Sequence, residues 1–285
     1  GGVTVSHASI HNFDEINRLD VREGDTVDIK RAGDVIPQII SVNLDKRKKG
    51  FLKVSLPKRC PSCKNDLVRI EGEAILRCTA GLDCPAQRIG SLIHFVSRNA
   101  LNIDGLGERI IELLVDKKLV LNFADLFRLD IKDIINLEGF GEKSATNLIK
   151  SIQASKDTNL SRFIYSLGIR EVGEATAMNL ALNFNNISKF LAADEQDFLE
   201  INDIGPVASN YIKEFLASDE NINLVKDLIA LGVNPKEMEV KNDNPFSSKS
   251  IVITGSFNNI ARSQLKEELI RVGARVSSSV SSKTE

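Results

Sequence analysis

The sequence predicts a multidomain chain: a small β-barrel, a four-cysteine metal module, an all-α array of repeated two-helix units and an α/β unit. Three observations carry this prediction. Short β-branched runs fill residues 1 to about 57. Four cysteines fall within 25 residues, Cys60 to Cys84. From about residue 88 the apolar period becomes 3.6, and a glycine-bordered turn recurs every 32 to 34 residues.

Composition bounds the class. At 285 residues the chain is too long for one ordinary domain. With 42% hydrophobic and 27% charged residues it reads as folded rather than disordered. No apolar run approaches the length of a membrane span. Gly1 to Val5 carry no basic stretch followed by an apolar core, so no secretory signal is expected. The absence of an opening Met and the Ser-rich end, Ser277 to Glu285, suggest a piece of something longer. Net charge is −2, but Lys30 to Arg69 hold eleven Lys or Arg against three Asp, a local +8. That is the size of a phosphate footprint, although a solvated face with a basic loop at Lys46 to Lys49 fits it too.

The barrel is read over residues 1–57. Its expected strands are Val3–Val5, Thr26–Lys30, Ile36–Val42 and Phe51–Val54, separated by the turns Arg22–Asp25, Ala32–Asp34 and Lys49–Gly50. A short helix is expected from Asn12, with Glu15 placed to complete a capping box. Small barrels of this kind include the oligonucleotide-binding fold.

Residues 58–87 carry Cys60-Pro-Ser-Cys63, then Cys78 and Cys84. Two thiolates on one tight turn and two across a hairpin complete a tetrahedron, the closed geometry of one structural Zn2+. Two disulfides or a redox pair are the competing readings. Four thiolates leave no open position for activating water, and His94 reads as an ordinary helix residue.

Residues 88–235 alternate helices with four similar turns: Asp104-Gly105-Leu106-Gly107, Glu138-Gly139-Phe140-Gly141, Arg170-Glu171-Val172-Gly173 and Asn202-Asp203-Ile204-Gly205. The apolar residue is expected to anchor each turn, while the helix that follows offers free N–H groups and a positive dipole end. Backbone amides position a protein on DNA without reading bases. A single such turn reads rather as a helix–helix corner; four copies in register point to contact with the DNA backbone. The third and fourth copies put Glu171 and Asp203 where the first glycine stands, which suits a structural or weaker role. A linker is expected over 236–247. After it Ser250–Gly255 reads as a strand, Ser263–Val272 as a helix closed by Gly273, and Ala274–Val276 as a second strand.

Taken together, His11-Asn12, Arg31-Ala32-Gly33-Asp34-Val35-Ile36-Pro37, the cysteine cluster continuing as Cys84-Pro85-Ala86-Gln87, and Leu167-Gly168-Ile169-Arg170-Glu171-Val172-Gly173 resemble the bacterial NAD-dependent DNA ligases. The resemblance spans the chain. It implies an OB-fold barrel, a four-cysteine zinc finger, four helix-hairpin-helix motifs and, over 248–285, a truncated BRCT domain. It implies an enzyme that seals nicks in duplex DNA during replication and repair, using NAD and Mg2+ bound mainly outside these residues. Arg31, Val35 and Ile36 would face the duplex. Gly105, Gly107, Gly139, Gly141, Gly173 and Gly205 would grip the minor groove, and Cys60, Cys63, Cys78 and Cys84 would hold zinc. Thr254 and Gly255 match the start of a BRCT phosphate pocket whose basic partner falls beyond Glu285. The implied partner is nicked duplex DNA rather than a membrane, for a monomer in the cytoplasm.

One departure bears on activity. The family's nucleophile lies in a Lys-x-Asp-Gly motif, and the nearest string here, Asn102-Ile103-Asp104-Gly105, has an amide in its place. No catalytic residue is therefore expected in these residues, which should bind DNA but not ligate it. An accessory DNA-binding protein and an RNA-binding module are the rival readings.

Overall fold

The computed structural model describes residues 4–32, 36–69, 75–201, 203–237, 245–246, 249–255, 257, 259–260, 262–272, 274–277, 280 and 284. It forms two compact units, Gly1–Arg88 and Ile89–Glu285.

In the first unit, α1 (Phe13–Leu19) starts where expected. The Asn12 side chain accepts from the Glu15 amide at 3.0 Å, while the Glu15 carboxylate turns to Arg18 instead of closing the box. Strands β1 (Val27–Ala32) and β2 (Ile36–Val42) pair antiparallel, with a bulge between Asp28 and Ile29. Beyond them the expected barrel strands shrink. Val3 lies outside the described residues, Thr4 and Val5 join no ladder, and the run at Phe51–Val54 makes one bridge, Arg22 to Lys53. Phe51 is committed elsewhere: its ring lies against Gly24, where a Cβ would come within 2.9 Å of it. The sheet consequently keeps Ile29, Ile36 and Ile40 exposed, and Val21, Cys60 and Cys84 are the unit's buried hydrophobic residues among those described.

A charge cluster joins the end of α1 to the turn before β1. Asp20, the left-handed C-cap of α1, and Asp25, in the turn before β1, both receive the guanidinium of Arg47. The Asp25 side chain is only 1% exposed. Further on, β3 (Leu67–Arg69) and β4 (Leu76–Cys78) form a short antiparallel hairpin. Helix α2 (Pro85–Val96) follows, opened by a proline at a first-turn position that has no hydrogen bond to lose.

The second unit is helical with one continuous apolar core from Leu92 to Val233. Its elements are α3 (Glu108–Asp116), α4 (Phe123–Leu126), α5 (Ile131–Ile135), α6 (Glu142–Ala154), β5 (Asp157–Asn159), α7 (Leu160–Ser166), α8 (Glu174–Phe184), α9 (Ile187–Ala192), α10 (Glu195–Leu199), α11 (Pro206–Leu216), α12 (Asp219–Ala230) and β6 (Asn234–Lys236). Aromatic packing marks two centres. Phe95 stacks on Phe123 with centroids 4.4 Å apart, and Phe184, Phe190 and Phe198 meet edge to face. The strands β5 and β6 pair in parallel, so Lys236, expected to open the linker, lies in a strand. Residues 238–244 and 247–248 of that linker lie outside the described set. Finally β7 (Ser250–Val252), α13 (Arg262–Arg271) and β8 (Arg275–Ser277) follow the strand–helix–strand order the sequence predicts, and the two strands pair in parallel; Gly273 lies outside the described residues.

Candidate metal centre and nucleic-acid interface

The four cysteines converge. Their Sγ atoms all lie within 4.8 Å of one another, with Cys60 to Cys84 at 3.9 Å and Cys63 to Cys78 at 3.4 Å. A tetrahedron built on Zn–S distances of about 2.3 Å needs sulfurs about 3.8 Å apart, so the set fits one ion; a disulfide requires about 2.05 Å. Local folding explains the placement. The Cys60 amide donates to the Asn65 carbonyl and the Lys64 amide to the Cys60 carbonyl, with Lys64 left-handed at φ +66, which folds Cys60–Lys64 into a knuckle. Cys78 ends β4 and Cys84 precedes α2. Gln87 Nε2 donates to the Cys78 carbonyl at 2.6 Å, and the Ala86 amide donates to Ser62 Oγ at 3.3 Å, binding the two halves together.

The same folding shifts the thiols in opposite directions. Amides of Cys63 and Ser62 point at the Cys60 sulfur and bring its pKa down to about 6. Amides of Gln87 and Ala86 lower that of Cys84. Against the pull of the Asn65 amide, burial and three neighbouring sulfurs push Cys63 up to about 12. Four negative sulfurs at this separation repel one another unless a cation sits among them. The donor set therefore suits a structural Zn2+, and its closed geometry assigns the ion no water to activate.

The four turns superimpose in their internal bonding. The apolar anchor amides of Leu106, Phe140, Val172 and Ile204 donate to the carbonyls of Ile103, Leu137, Ile169 and Ile201 at 3.1–3.3 Å. All these anchors are buried except half-buried Phe140. The residue before each anchor is left-handed: Gly105 at φ +90, Gly139 at +85, Glu171 at +60 and Asp203 at +66. The tight turn demands that conformation, whatever residue stands there. Sequence reading identified the central anchor but missed its partner three residues earlier; the apolar residue recurring at 103, 137, 169 and 201 was the available signal.

The residue after each anchor is the N-cap of α3, α6, α8 or α11, and in all four it is glycine without a side-chain cap: Gly107, Gly141, Gly173 and Gly205. Their backbones are extended, and a Cβ on any of them would meet nothing within 4 Å. Nothing inside the protein requires glycine there. Elsewhere the chain caps helices conventionally, with Asn12, Asn122, Asp130, Asn159, Asn186, Asp194 and Ser218 accepting first-turn amides. Neighbouring turns meet in pairs. Arg109 of α3 lies 3.8 Å from Glu138 of the second turn, and the Arg170 guanidinium sits 4.4 Å over the Tyr211 ring of α11. A groove of about 1070 Å³ runs from Asp104 and Gly105 past Phe140 and Ser144 to Lys150 and Arg162.

The other expected contacts are less defined. Arg31 lies in β1 opposite Pro37, with its side chain outside the described residues, as is Val35. Ile36 opens β2 and is 58% exposed. Thr254 and Gly255 are exposed after β7, with Gly255 at φ +80. Among the described residues no helix is long and apolar enough to cross a membrane.

Comparison with known proteins places these features. The profile of the NAD-dependent DNA ligase OB-fold domain matches residues 1–51, and that of the NAD-dependent DNA ligase C4 zinc finger domain matches 59–86. A SAM-like helix-hairpin-helix tandem matches 97–154 and a helix-hairpin-helix motif matches 162–225, two turns in each. Proteins called DNA ligase from Saccharophagus degradans and Hahella chejuensis are 48% and 49% identical over 285 and 286 residues, covering 100% of this chain and 42% of each relative. One from Legionella pneumophila is 46% identical over 288 residues, 43% of its length. The chain thus spans less than half the length of the curated relatives it matches.

Proposed function

Because the chain carries the OB-fold and C4 zinc-finger segments of the NAD-dependent DNA ligases, and resembles DNA ligases along its whole length, we propose that it is the DNA-gripping part of such an enzyme. In this reading the parent protein seals single-strand nicks in duplex DNA during replication and repair. It acts as a monomer in the cytoplasm, with NAD and Mg2+ bound mainly by residues outside these 285. Residues 1–57 form the barrel, 58–87 the finger, 88–235 the hairpins, 236–247 a linker and 248–285 part of a BRCT domain, where Thr254 and Gly255 begin a phosphate pocket.

The observation that carries the reading is the contrast in caps. Seven helices have first-turn amides accepted by an N-cap Asn, Asp or Ser side chain, while the four that follow glycine-bordered turns have no N-cap side chain; among these, the Ile110 amide turns to the Gly107 carbonyl and the Gly141 amide to Ser144 Oγ. Open amides at a positive helix end, with no Cβ in the way, suit a phosphate oxygen. Gly105, Gly107, Gly139, Gly141, Gly173 and Gly205 supply these contacts. Arg31, Val35 and Ile36 add a barrel surface beside the duplex. Since only backbone is offered at the turns, the grip is indifferent to base sequence. Zinc held by Cys60, Cys63, Cys78 and Cys84 would keep the finger folded.

The 285 residues contain no Lys-x-Asp-Gly string. Alone, the chain should bind nicked duplex without taking AMP from NAD, and sealing should appear only when a segment bearing that motif is added. AMP transfer by this chain alone, or no binding to nicked duplex, would overturn the proposal.

A further inference from the structure

The basic run Lys46-Arg47-Lys48-Lys49 does not behave as four equal charges. Lys46, Lys48 and Lys49 are exposed, and among the described residues no acid is recorded against any of them. Arg47 is turned inward, its side chain 14% exposed. Its Nε reaches Asp25 Oδ1 at 2.9 Å and its Nη2 reaches Asp25 Oδ2 at 2.6 Å. Nη1 donates to Asp20 Oδ2 at 2.6 Å, and Nη2 also meets the Asp20 carbonyl. Both faces of the guanidinium fork are thereby used, leaving little for a phosphate. The carboxylates are fixed in turn. Asp25 Oδ2 accepts from the Arg22 amide at 2.8 Å, Asp20 Oδ2 accepts from Arg22 Nη2 at 3.1 Å, and Lys53 Nζ lies 3.7 Å from Asp20 Oδ1.

We infer that Arg47 is a positioning residue for duplex binding: clamped between Asp20 and Asp25, it holds Lys46, Lys48 and Lys49 outward as a preformed phosphate contact. This rests on the reading that the chain grips duplex DNA. The loop's backbone supports it. A single 3-10 turn, Leu44–Lys46, ends with the Arg47 amide donating to the Leu44 carbonyl at 3.1 Å, and of the four basic side chains only Arg47 turns inward. Preorganisation of this kind avoids the cost of ordering the loop backbone that carries the three lysines.

The test is the salt dependence of duplex affinity for the zinc-loaded 285-residue chain and four variants. Lys48→Gln should lower the slope of log K against log salt by about one, as loss of one phosphate contact does. Arg47→Lys keeps the charge but loses the fork, so the slope should fall by about two or more. Asp25→Asn and Asp20→Asn give the sharper result: each adds a positive increment, so charge alone predicts tighter binding, whereas the clamp predicts weaker binding. Arg47→Lys indistinguishable from wild type, or either Asn variant binding more tightly, would overturn the inference. Loss of zinc or of helix signal alongside affinity would count against it as well, since Arg47 would then act in folding alone. A wild-type chain that fails to bind duplex sinks the functional reading itself, which distinguishes that failure from failure of the clamp.

Discussion

Glu171 and Asp203 occupy the turn position that glycine holds in the first two hairpins, and both are left-handed, at φ +60 and +66. An L-residue in that conformation costs about 1–2 kcal/mol relative to glycine. Each also sets a carboxylate beside a helix start that the proposed grip would turn toward phosphate. Glu171 is partly answered by Arg170, 3.9 Å away, which itself lies over Tyr211. Glu171→Gly and Asp203→Gly should therefore raise the melting temperature, by on the order of 1 kcal/mol in stability, and tighten duplex binding. Isothermal unfolding and a duplex titration measure both effects; unchanged or weaker binding would mean those two turns stand away from the DNA. The repeat register made these positions legible, because the apolar anchors fix the alignment without the glycines. Their backbone conformation was not legible, since neither residue type calls for it.

At the scale of elements, legibility followed what each element depends on. The hairpins were readable because their turns need particular residues at fixed offsets: an anchor, a left-handed residue, a bare N-cap. The barrel strands were over-read. Alternation in Phe51–Val54 describes one strand's faces but not whether a neighbour is present to pair with, and Phe51 packs on Gly24 instead. The pair β5–β6 was missed because Asp157-Thr158-Asn159 and Asn234-Pro235-Lys236 are polar, short and distant in sequence. Arg47 was counted as a surface charge because sequence carries no sign of Asp20 and Asp25 converging on it. That cluster has a pH consequence. Hydrogen bonds from Arg47, then Arg22, hold the Asp20 carboxyl below its ordinary value, and Arg47 with the Arg22 amide does the same for Asp25. Folded carboxylates with depressed pKa bind fewer protons than unfolded ones. Their stabilisation is thus complete above the unfolded aspartate value of about 3.9 and is lost as pH falls through the lower folded values. Acid titration of the first unit should show this loss, flattened in Asp25→Asn; an unaltered profile in that variant would remove Asp25 from the cluster's energetics.

For the whole molecule, the contrast between the two units governs what holds each together. The second has a core running from Leu92 to Val233, whereas the first buries Val21, Cys60 and Cys84 among its described hydrophobic residues. A unit with so little core relies on its staples. Chelation should therefore remove one zinc per chain and unfold residues of the first unit, while helical signal from residues 89 onward persists; proteolysis with and without chelator would show it. Equal protection of both units after zinc removal would contradict the metal's structural role. The cysteines were readable at this scale from spacing alone, because a tetrahedral site constrains sequence tightly. The division at Arg88, inside α2, falls where the apolar pattern changes to a period of 3.6 at about residue 88.

The most direct measurement is duplex binding by Gly141→Val on two DNAs of unrelated sequence. Gly141 is extended at φ −130 and ψ 179, and a Cβ there meets nothing within 4 Å, so the variant should melt within about 0.5 kcal/mol of wild type. If the open amides at the start of α6 hold a phosphate, affinity should fall about tenfold, equally on both sequences. Wild-type affinity in a folded Gly141→Val chain would contradict the account.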